Sequence, residues 1–226
     1  MTAPRPAATG HLDARPTPDP TGPPLPAGLS RLELGPGPEV LVDVPIDRPG
    51  PLPLLVFCHG AGGNAANALQ SVGEEAARRG VVVLAASSVG STWDLIAGGL
   101  GRDVAVLDAA LAQVFDRVAV DRVALGGFSD GGSYALSLGL ANGDLFGDLL
   151  AFSPGFLAPP AQQGHPRVRV CHGTEDRVLP VDRCGRRVVA QLQQAGYDVT
   201  YDEFTGGHVV TPELVRAALD WWLPGS

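Results

Sequence analysis

Short apolar runs alternate with segments of helical periodicity along most of this chain, and that alternation restricts the folds available to it. The apolar runs occupy residues 52–57, 81–86, 123–128, 149–152, 168–171 and 199–204. Apolar residues recur at helical spacing in residues 65–79, 102–115, 129–140, 181–195 and 211–223. Uninterrupted apolar runs are typical of strands buried on both faces of a parallel sheet. The pattern therefore predicts an α/β fold, a doubly wound, mostly parallel sheet with helices on both faces.

Two weaker strands precede that pattern, at residues 29–34 and 40–45, where period-two alternation predicts an edge hairpin with one solvated face. Residues 1–28 mix Pro, Gly, Thr and Asp, so we interpret them as an irregular or loosely docked arm that buries little. Residues 29–226 are expected to form one domain. The short connection between residues 152 and 168 leaves no room for a lid domain.

Composition argues against several classes of partner. Sixteen basic residues and 24 acidic residues give a formal net charge of −8, which repels nucleic acid. Cys58, Cys171 and Cys184 lack metal-ligand spacing, and we expect them to be buried, reduced thiols. No signal-type apolar segment and no run long enough to span a membrane is present, so we expect a cytoplasmic protein. The oligomeric state stays open.

A candidate nucleophile lies in the segment Gly127-Phe128-Ser129-Asp130-Gly131, which matches G-x-S-x-G. The segment follows an apolar run and precedes a helical pattern, which is where a serine raised on a strand-to-helix turn has to lie. Such a turn forces unusual backbone angles, and the flanking glycines remove side chains that would collide. A glycine-rich turn with a serine helix cap is the alternative. The context favours Ser129 as a nucleophile.

Five histidines are candidates for the general base. His11 lies in the arm, and His165 lies in a loop flanked by Gly and Pro. His59 and His172 each end an apolar run and precede Gly, so we interpret both as structural. His208 follows the last strand within a Gly-rich loop that lets the chain bend towards the nucleophile. We therefore predict His208 as the base.

The acid that orients this base is expected between the serine and the histidine in sequence. The loop Gly173-Thr174-Glu175-Asp176 follows a strand in that interval. Glu175 and Asp182 are rivals, but Asp182 opens a helix and suits its dipole there. Asp176 is the predicted orienter of His208, and a structural salt bridge is the alternative.

The loop His59-Gly60-Ala61-Gly62-Gly63-Asn64 follows an apolar strand, where it can supply one donor of an oxyanion hole. The second donor is the N–H of the residue after the serine, so the predicted donors are Ala61 and Asp130. Gly60 and Gly62 are candidate substrate-binding residues. The loop lacks the spacing of a nucleotide-binding motif. Trp93, at the carboxyl end of another strand, is either a wall of the substrate pocket or a packed core aromatic.

From Pro53 to the C-terminus, the order of the His59-Gly60 loop, the Ser129 turn, the Asp176 loop and His208 resembles the phospholipase/carboxylesterase branch of the α/β-hydrolases. The chain is also similar to dienelactone hydrolases and polyhydroxyalkanoate depolymerase-like esterases. Ser129 differs from the cysteine nucleophile of dienelactone hydrolases, which disfavours a dienelactone substrate. Asp130 stands where acyl-protein thioesterases typically have Gln.

The resemblance implies a serine hydrolase that cleaves small or short-acyl carboxylic esters through an acyl-enzyme on Ser129. It implies no cofactor and no metal, and the expected partner is a small-molecule ester. The alternatives are a depolymerase or thioesterase that acts on larger acyl substrates, and a non-catalytic binding protein with this fold.

Overall fold

The computed structural model describes residues 9–46, 50–96, 98–99 and 101–223. In chain order the elements are β1 (Gly28–Arg31), β2 (Val40–Val44), β3 (Leu52–Cys58), α1 (Ala65–Arg78), β4 (Val82–Ala86), α2 (Arg102–Arg117), β5 (Val120–Phe128), α3 (Asp130–Ala141), β6 (Asp148–Phe152), β7 (Arg167–Gly173), α4 (Gly185–Gln194), β8 (Val199–Phe204) and α5 (Pro212–Trp222). Every strand and helix expected from the sequence is present, with bounds that differ by a few residues.

The strands form one sheet in the order β1-β2-β4-β3-β5-β6-β7-β8. β1 and β2 pair antiparallel, β2 pairs antiparallel with β4, and the pairs from β4 to β8 are parallel. The chain starts its parallel strands in the middle of the sheet and then builds outwards on both sides. The predicted doubly wound, mostly parallel sheet is confirmed.

Alternate residues of the central strands enter two separate apolar layers. Leu54 and Val56 of β3 pack with apolar residues of α2, α3 and α4 on one face. Leu55 and Phe57 pack with those of α1 and α5 on the other face. Both layers bury apolar surface against the sheet, and this burial is the main favourable contribution to folding. The prediction of helices on both faces is confirmed.

The crossover from β6 to β7, residues 153–166, contains no helix or strand although all of it is described. It runs along α3 and is attached there by side chains of that helix. Ser133 Oγ accepts a hydrogen bond from the Gly155 N–H at 2.9 Å, and Ser137 Oγ accepts one from the Ala158 N–H at 3.0 Å. These bonds attach the first part of the connection to α3.

The N-terminal arm is irregular from residue 9 to residue 27, but it is anchored to the domain. Leu12 is fully buried, and its N–H donates to Asn142 Oδ1 at 2.8 Å. Asn142 Nδ2 donates in return to Gly10 O at 2.8 Å. The expectation that this segment buries little is wrong at Leu12 and Leu25, because two leucines that pack into the core do not show in an average composition. The domain boundary at residue 28 stays a prediction, and residues 1–8 lie outside the described chain.

All three cysteines are free and buried, which confirms the expectation drawn from their surroundings. Burial raises the pKa of the Cys58 thiol far above its usual value and that of Cys171 to about 11. Neither thiol is therefore prepared to act as a nucleophile. In the described part of the chain, no helix has both the length and the apolar character required to cross a bilayer.

Candidate active site

Ser129 lies on the sharp turn between β5 and α3, with φ 59° and ψ −121°. Side chains rarely adopt this conformation, and it costs of order 1–3 kcal/mol. Close packing explains the flanking glycines, since a Cβ at Gly127 would lie 2.3 Å from Gly131 O. A Cβ at Gly131 would lie 2.2 Å from Cys58 O. The sequence around Ser129 thus allows a turn that the chain could not otherwise make.

The structure brings together the three side chains that the sequence predicts as nucleophile, base and orienter. His208 Nε2 lies 2.9 Å from Ser129 Oγ, and His208 Nδ1 lies 2.6 Å from Asp176 Oδ2. Each residue lies in a loop that follows the carboxyl end of a parallel strand, and these ends share one edge of the sheet. The order serine, histidine and carboxylate is the geometry of nucleophilic acyl transfer.

Asp176 is buried and fully engaged in hydrogen bonds. Its Oδ1 accepts the N–H groups of Val178 at 2.9 Å and Leu179 at 2.8 Å, while Oδ2 faces His208. Burial acts to raise the pKa of this carboxyl, but the bonds from Leu179, His208 and Val178 outweigh it and hold the pKa below its usual value. An ionised Asp176 carries no proton, so the short bond to His208 requires the proton on Nδ1. That tautomer leaves Nε2 free to accept the proton of Ser129.

The two rival carboxylates point elsewhere. Glu175 is exposed, and the side chain of Asp182 is 75% exposed and pairs with Arg186 at 2.5 Å. Because neither contacts His208 in the structure, Asp176 is the carboxylate that the geometry selects.

His172 and His59 both have structural contacts, in agreement with their interpretation from sequence. His172 is fully buried, and its Nε2–H donates to Leu179 O at 2.7 Å. His59 Nδ1–H donates to Gly60 O at 2.7 Å, while its Nε2 accepts the Ser88 N–H at 2.9 Å. Burial lowers the pKa of His59, which keeps this ring neutral. The His59 ring therefore fixes the start of the glycine-rich loop.

Trp93 does not form a wall of the substrate pocket, which corrects one of the two interpretations of this residue. Its side chain is 1% exposed, and the ring stacks on Tyr134 at a centroid distance of 4.6 Å. Its indole Nε1–H donates to His59 O at 2.9 Å. A buried indole satisfies its polar group in this way. Trp93 is thus a packed core aromatic that supports the glycine-rich loop from behind.

The glycine-rich loop lies directly against the serine turn. A Cβ at Gly60 would lie 3.4 Å from Ser129 Cβ. Within the described chain, the backbone N–H groups of Ala61 and Asp130 have no hydrogen-bond acceptor. Two free donors beside a serine are what an oxyanion hole requires. Their role as that hole stays a prediction.

Residues 88–94 hold in place the two segments that contain the N–H groups of Ala61 and Asp130. The sequence analysis did not predict this contribution. Gly62 N–H donates to Ser91 O at 2.8 Å, and Thr92 Oγ1 donates to Asp130 Oδ2 at 2.7 Å. The only signal available in the sequence was the position of this polar loop after β4. Its partners are distant in sequence and become neighbours only when β4 pairs with β3.

A cleft of about 500 Å³ opens beside Ser129 on the side of the sheet covered by α1 and α5. Gly60 and Gly62 contribute to its wall, as expected, together with Ala61. Phe128 and Val210 contribute apolar surface, and the Phe128 ring packs on His208 at 4.6 Å. Trp93 takes no part in this lining.

The sheet, the helices on its two faces and the serine turn between β5 and α3 together define an α/β-hydrolase fold. Solved structures share this fold. TT1662 from Thermus thermophilus is 23% identical with a TM-score of 0.64, covering 89% of this chain and all of that chain. Est1E from Butyrivibrio proteoclasticus is 18% identical with a TM-score of 0.65, covering 87% and 98%. S-formylglutathione hydrolase from Staphylococcus aureus is 14% identical with a TM-score of 0.68, covering 86% and 99%.

A sequence model of the phospholipase/carboxylesterase family matches residues 104–221. The chain belongs to this family. It is also 32% identical over 111 residues to acyl-protein thioesterase 1 of Gibberella zeae, a match that covers 45% of this chain. The matched part spans 47% of the length of that relative.

Proposed function

We propose that this protein is a serine esterase that hydrolyses carboxylic esters of small or short-acyl substrates. The observation that carries the proposal is the continuous hydrogen-bonded chain from Ser129 Oγ through His208 to Asp176, with distances of 2.9 Å and 2.6 Å. Membership of the phospholipase/carboxylesterase family supports it.

In the first half of the reaction, Ser129 Oγ attacks the ester carbonyl carbon as its proton passes to His208 Nε2. The tetrahedral intermediate then collapses, the bond to the alkoxy oxygen breaks, and His208 gives its proton to the departing alcohol. In the second half, water attacks the acyl-enzyme, with His208 again accepting a proton, and the carboxylic acid leaves as Ser129 regains its hydrogen. Asp176 stabilises the imidazolium at each of these stages.

The free N–H groups of Ala61 and Asp130 serve in this proposal as the donors to the carbonyl oxygen when it becomes an oxyanion. They are fixed before the substrate arrives, because residues 88–94 bind both segments. Donors that need no reorganisation stabilise the developing charge more than water does.

The experiment that tests the proposal compares the wild-type protein with Ser129→Ala. We expect the wild type to hydrolyse p-nitrophenyl acetate and to be labelled by a fluorophosphonate probe, and the variant to do neither while keeping the same unfolding temperature. Ser133→Ala is a control for labelling, since Ser133 lies one helical turn away and its hydroxyl binds backbone N–H groups. A wild-type protein that neither reacts with the probe nor turns over any ester would favour a non-catalytic binding protein.

A thioesterase is the second candidate, because acyl-protein thioesterase 1 of Gibberella zeae is 32% identical over the matched region. The same groups would cleave a thioester, with a thiol as the leaving group. The test compares the acetyl ester of one alcohol with the acetyl thioester of the corresponding thiol. The substrate with the higher kcat/KM shows which of the two activities the protein prefers.

We also propose a cytoplasmic location, supported by three cysteines that remain free.

A further inference from the structure

The cleft adjoins the Ser129 turn through Gly60 and Phe128, which both contribute to its lining. In the proposed mechanism His208 Nε2 protonates that alcohol, so its oxygen must lie at the imidazole edge. Phe128, which packs on the His208 ring at 4.6 Å, and Val210, two residues after His208, both line the cleft. This space is therefore within reach of an alcohol whose oxygen receives the proton.

One wall of the cleft is polar. Asn67, Gln70 and Ser71 of α1 occur at the i, i+3 and i+4 spacing that places them on one helix face, and all three line the cleft. Ser71 Oγ donates to Asn67 O at 2.9 Å but keeps its acceptor capacity. Within the described chain, the side-chain amides of Asn67 and Gln70 have no hydrogen-bond partner. They are available to both donate to and accept from a ligand.

The described lining of the cleft carries no formal charge. It contains no Asp, Glu, Lys or Arg, and its one histidine, His59, is kept neutral with both ring nitrogens bound to the backbone. A charged alcohol would find no partner for an ion pair among these residues. The net charge of −8 adds a further penalty for an anion.

We propose that this cleft binds the alcohol part of the substrate and selects uncharged, hydroxylated alcohols through the side chains of Asn67 and Gln70. The inference rests on the proposed esterase function and adds the class of alcohol. A volume of about 500 Å³ accommodates a glyceryl or a single sugar unit. The apolar surface of Phe128 and Val210 contacts the carbon skeleton, while the amides on α1 bind the hydroxyl groups.

The test holds the acyl group constant and varies the alcohol. Glyceryl monoacetate and propyl acetate have the same carbon skeleton and differ by two hydroxyl groups, while acetylcholine and 3-acetoxypropanoate carry a positive and a negative charge. The double variant Asn67→Leu/Gln70→Leu removes the amides at positions where Leu favours the helix. Gln194→Leu makes a matched change at an exposed site at the end of α4, on the opposite face of the sheet.

We expect the wild type to prefer glyceryl monoacetate over propyl acetate in kcat/KM and to turn over both charged esters more slowly than glyceryl monoacetate. In the double variant, kcat/KM for glyceryl monoacetate should fall by about tenfold, while that for propyl acetate stays within about twofold. Comparison between variants cancels the intrinsic reactivity of the two esters. Gln194→Leu should match the wild type with each ester.

Two results would overturn the inference. One is an unchanged ratio of kcat/KM for the two esters in the double variant, which includes an equal loss with both esters, and the other is a charged ester as the preferred substrate. Hydrolysis of p-nitrophenyl acetate, whose alcohol carries no hydroxyl groups to bind, separates this failure from failure of the proposed function. If that ester is turned over, only the alcohol assignment is wrong. If no ester is turned over by the wild type, both are wrong.

Discussion

His172 Nε2 lies 3.3 Å from Asp176 Oδ2, the same oxygen that accepts the hydrogen bond from His208. Both side chains are fully buried. Gly185 permits this packing, since a Cβ at that position would lie 2.6 Å from His172 Nδ1. His172 thus contacts the same oxygen of Asp176 that faces His208, and it also binds Leu179 O in the same loop. We infer that His172 positions Asp176.

Replacing His172 tests that positioning. His172→Leu removes the donor to Leu179 O and the contact with Asp176, and we expect kcat for p-nitrophenyl acetate to fall by about tenfold with little change in KM. His172→Gln keeps an N–H donor near the position of Nε2 and should recover much of the loss. The unfolding temperatures of both variants measure how much each substitution destabilises the fold. A variant with lowered stability but wild-type kcat would show that His172 only supports the fold.

Neutralising Asp176 tests the choice of orienter. In Asp176→Asn the amide can no longer hold a proton on His208 Nδ1, so kcat should fall by about 10⁴-fold while substrate binding changes little. Asp182→Asn is the matched control, because its side chain is 75% exposed and pairs only with Arg186 in the described structure. Steady-state kinetics of both variants decide the assignment. A larger loss in Asp182→Asn would mean that the wrong carboxylate was chosen.

Much of this site could be predicted because its signals are local. The turn at Ser129 needs glycines two residues away on either side, and that requirement is written in adjacent positions of the chain. The loop of Asp176 follows the mostly buried strand β7, and the loop of His208 follows β8, which lies at the edge of the sheet and is only partly buried. Parallel strands then bring the loops to one edge without further information.

Contacts between distant segments could not be predicted in the same way. Trp93 was compatible with a pocket wall or with the core, and only the packing of its ring on Tyr134 decides between them. The bond from Thr92 to Asp130 joins residues that the sheet brings together. Leu12 lies in a segment of unfavourable average composition, yet its side chain is fully buried in the core. These contacts depend on how side chains from distant segments fit together in the folded protein, and a short sequence pattern does not contain that information.

Glu75 links the two helices that follow the glycine-rich loop and the His208 loop. It pairs with Arg79 of α1 at 2.8 Å and with Arg216 of α5 at 3.0 Å. The hydrogen bonds from Arg216 and Arg79 lower the pKa of this carboxyl to about 2. Because the folded pKa lies below the unfolded value, the stabilisation is present above about pH 4.5 and is lost as the pH falls towards 2.

Glu75→Gln should therefore lower the unfolding temperature at pH 7 by about 5 °C, and the difference from the wild type should shrink as the pH falls from 4.5 to 2. Glu74→Gln is the matched control, since Glu74 is the neighbouring carboxylate and its side chain is 76% exposed. Its effect should be small at every pH. Thermal unfolding followed across this pH range gives the result. A difference between Glu75→Gln and the wild type that persists undiminished at pH 2 would contradict the assigned pKa.

Acyl chain length provides the last prediction, which concerns how open the site is. The crossover of residues 153–166 contains no helix or strand and is hydrogen-bonded to α3 at Gly155 and Ala158, so we expect it not to enclose the acyl group. A long acyl chain bound at such a site keeps much of its surface in water, so each added CH₂ gains well below the roughly 0.8 kcal/mol of full burial. We therefore expect kcat/KM to be highest for p-nitrophenyl acetate or butyrate and to decline towards the octanoate and longer esters. Emulsified substrate should produce no jump in rate above its solubility limit, because the proposed site needs no segment to move aside. Measurement of initial rates across the p-nitrophenyl ester series, with Ser129→Ala as the background, tests both expectations. A kcat/KM that climbs steadily to the longest chains would show that the acyl group is enclosed, and it would favour a lipase or a long-chain thioesterase over the short-acyl esterase proposed here.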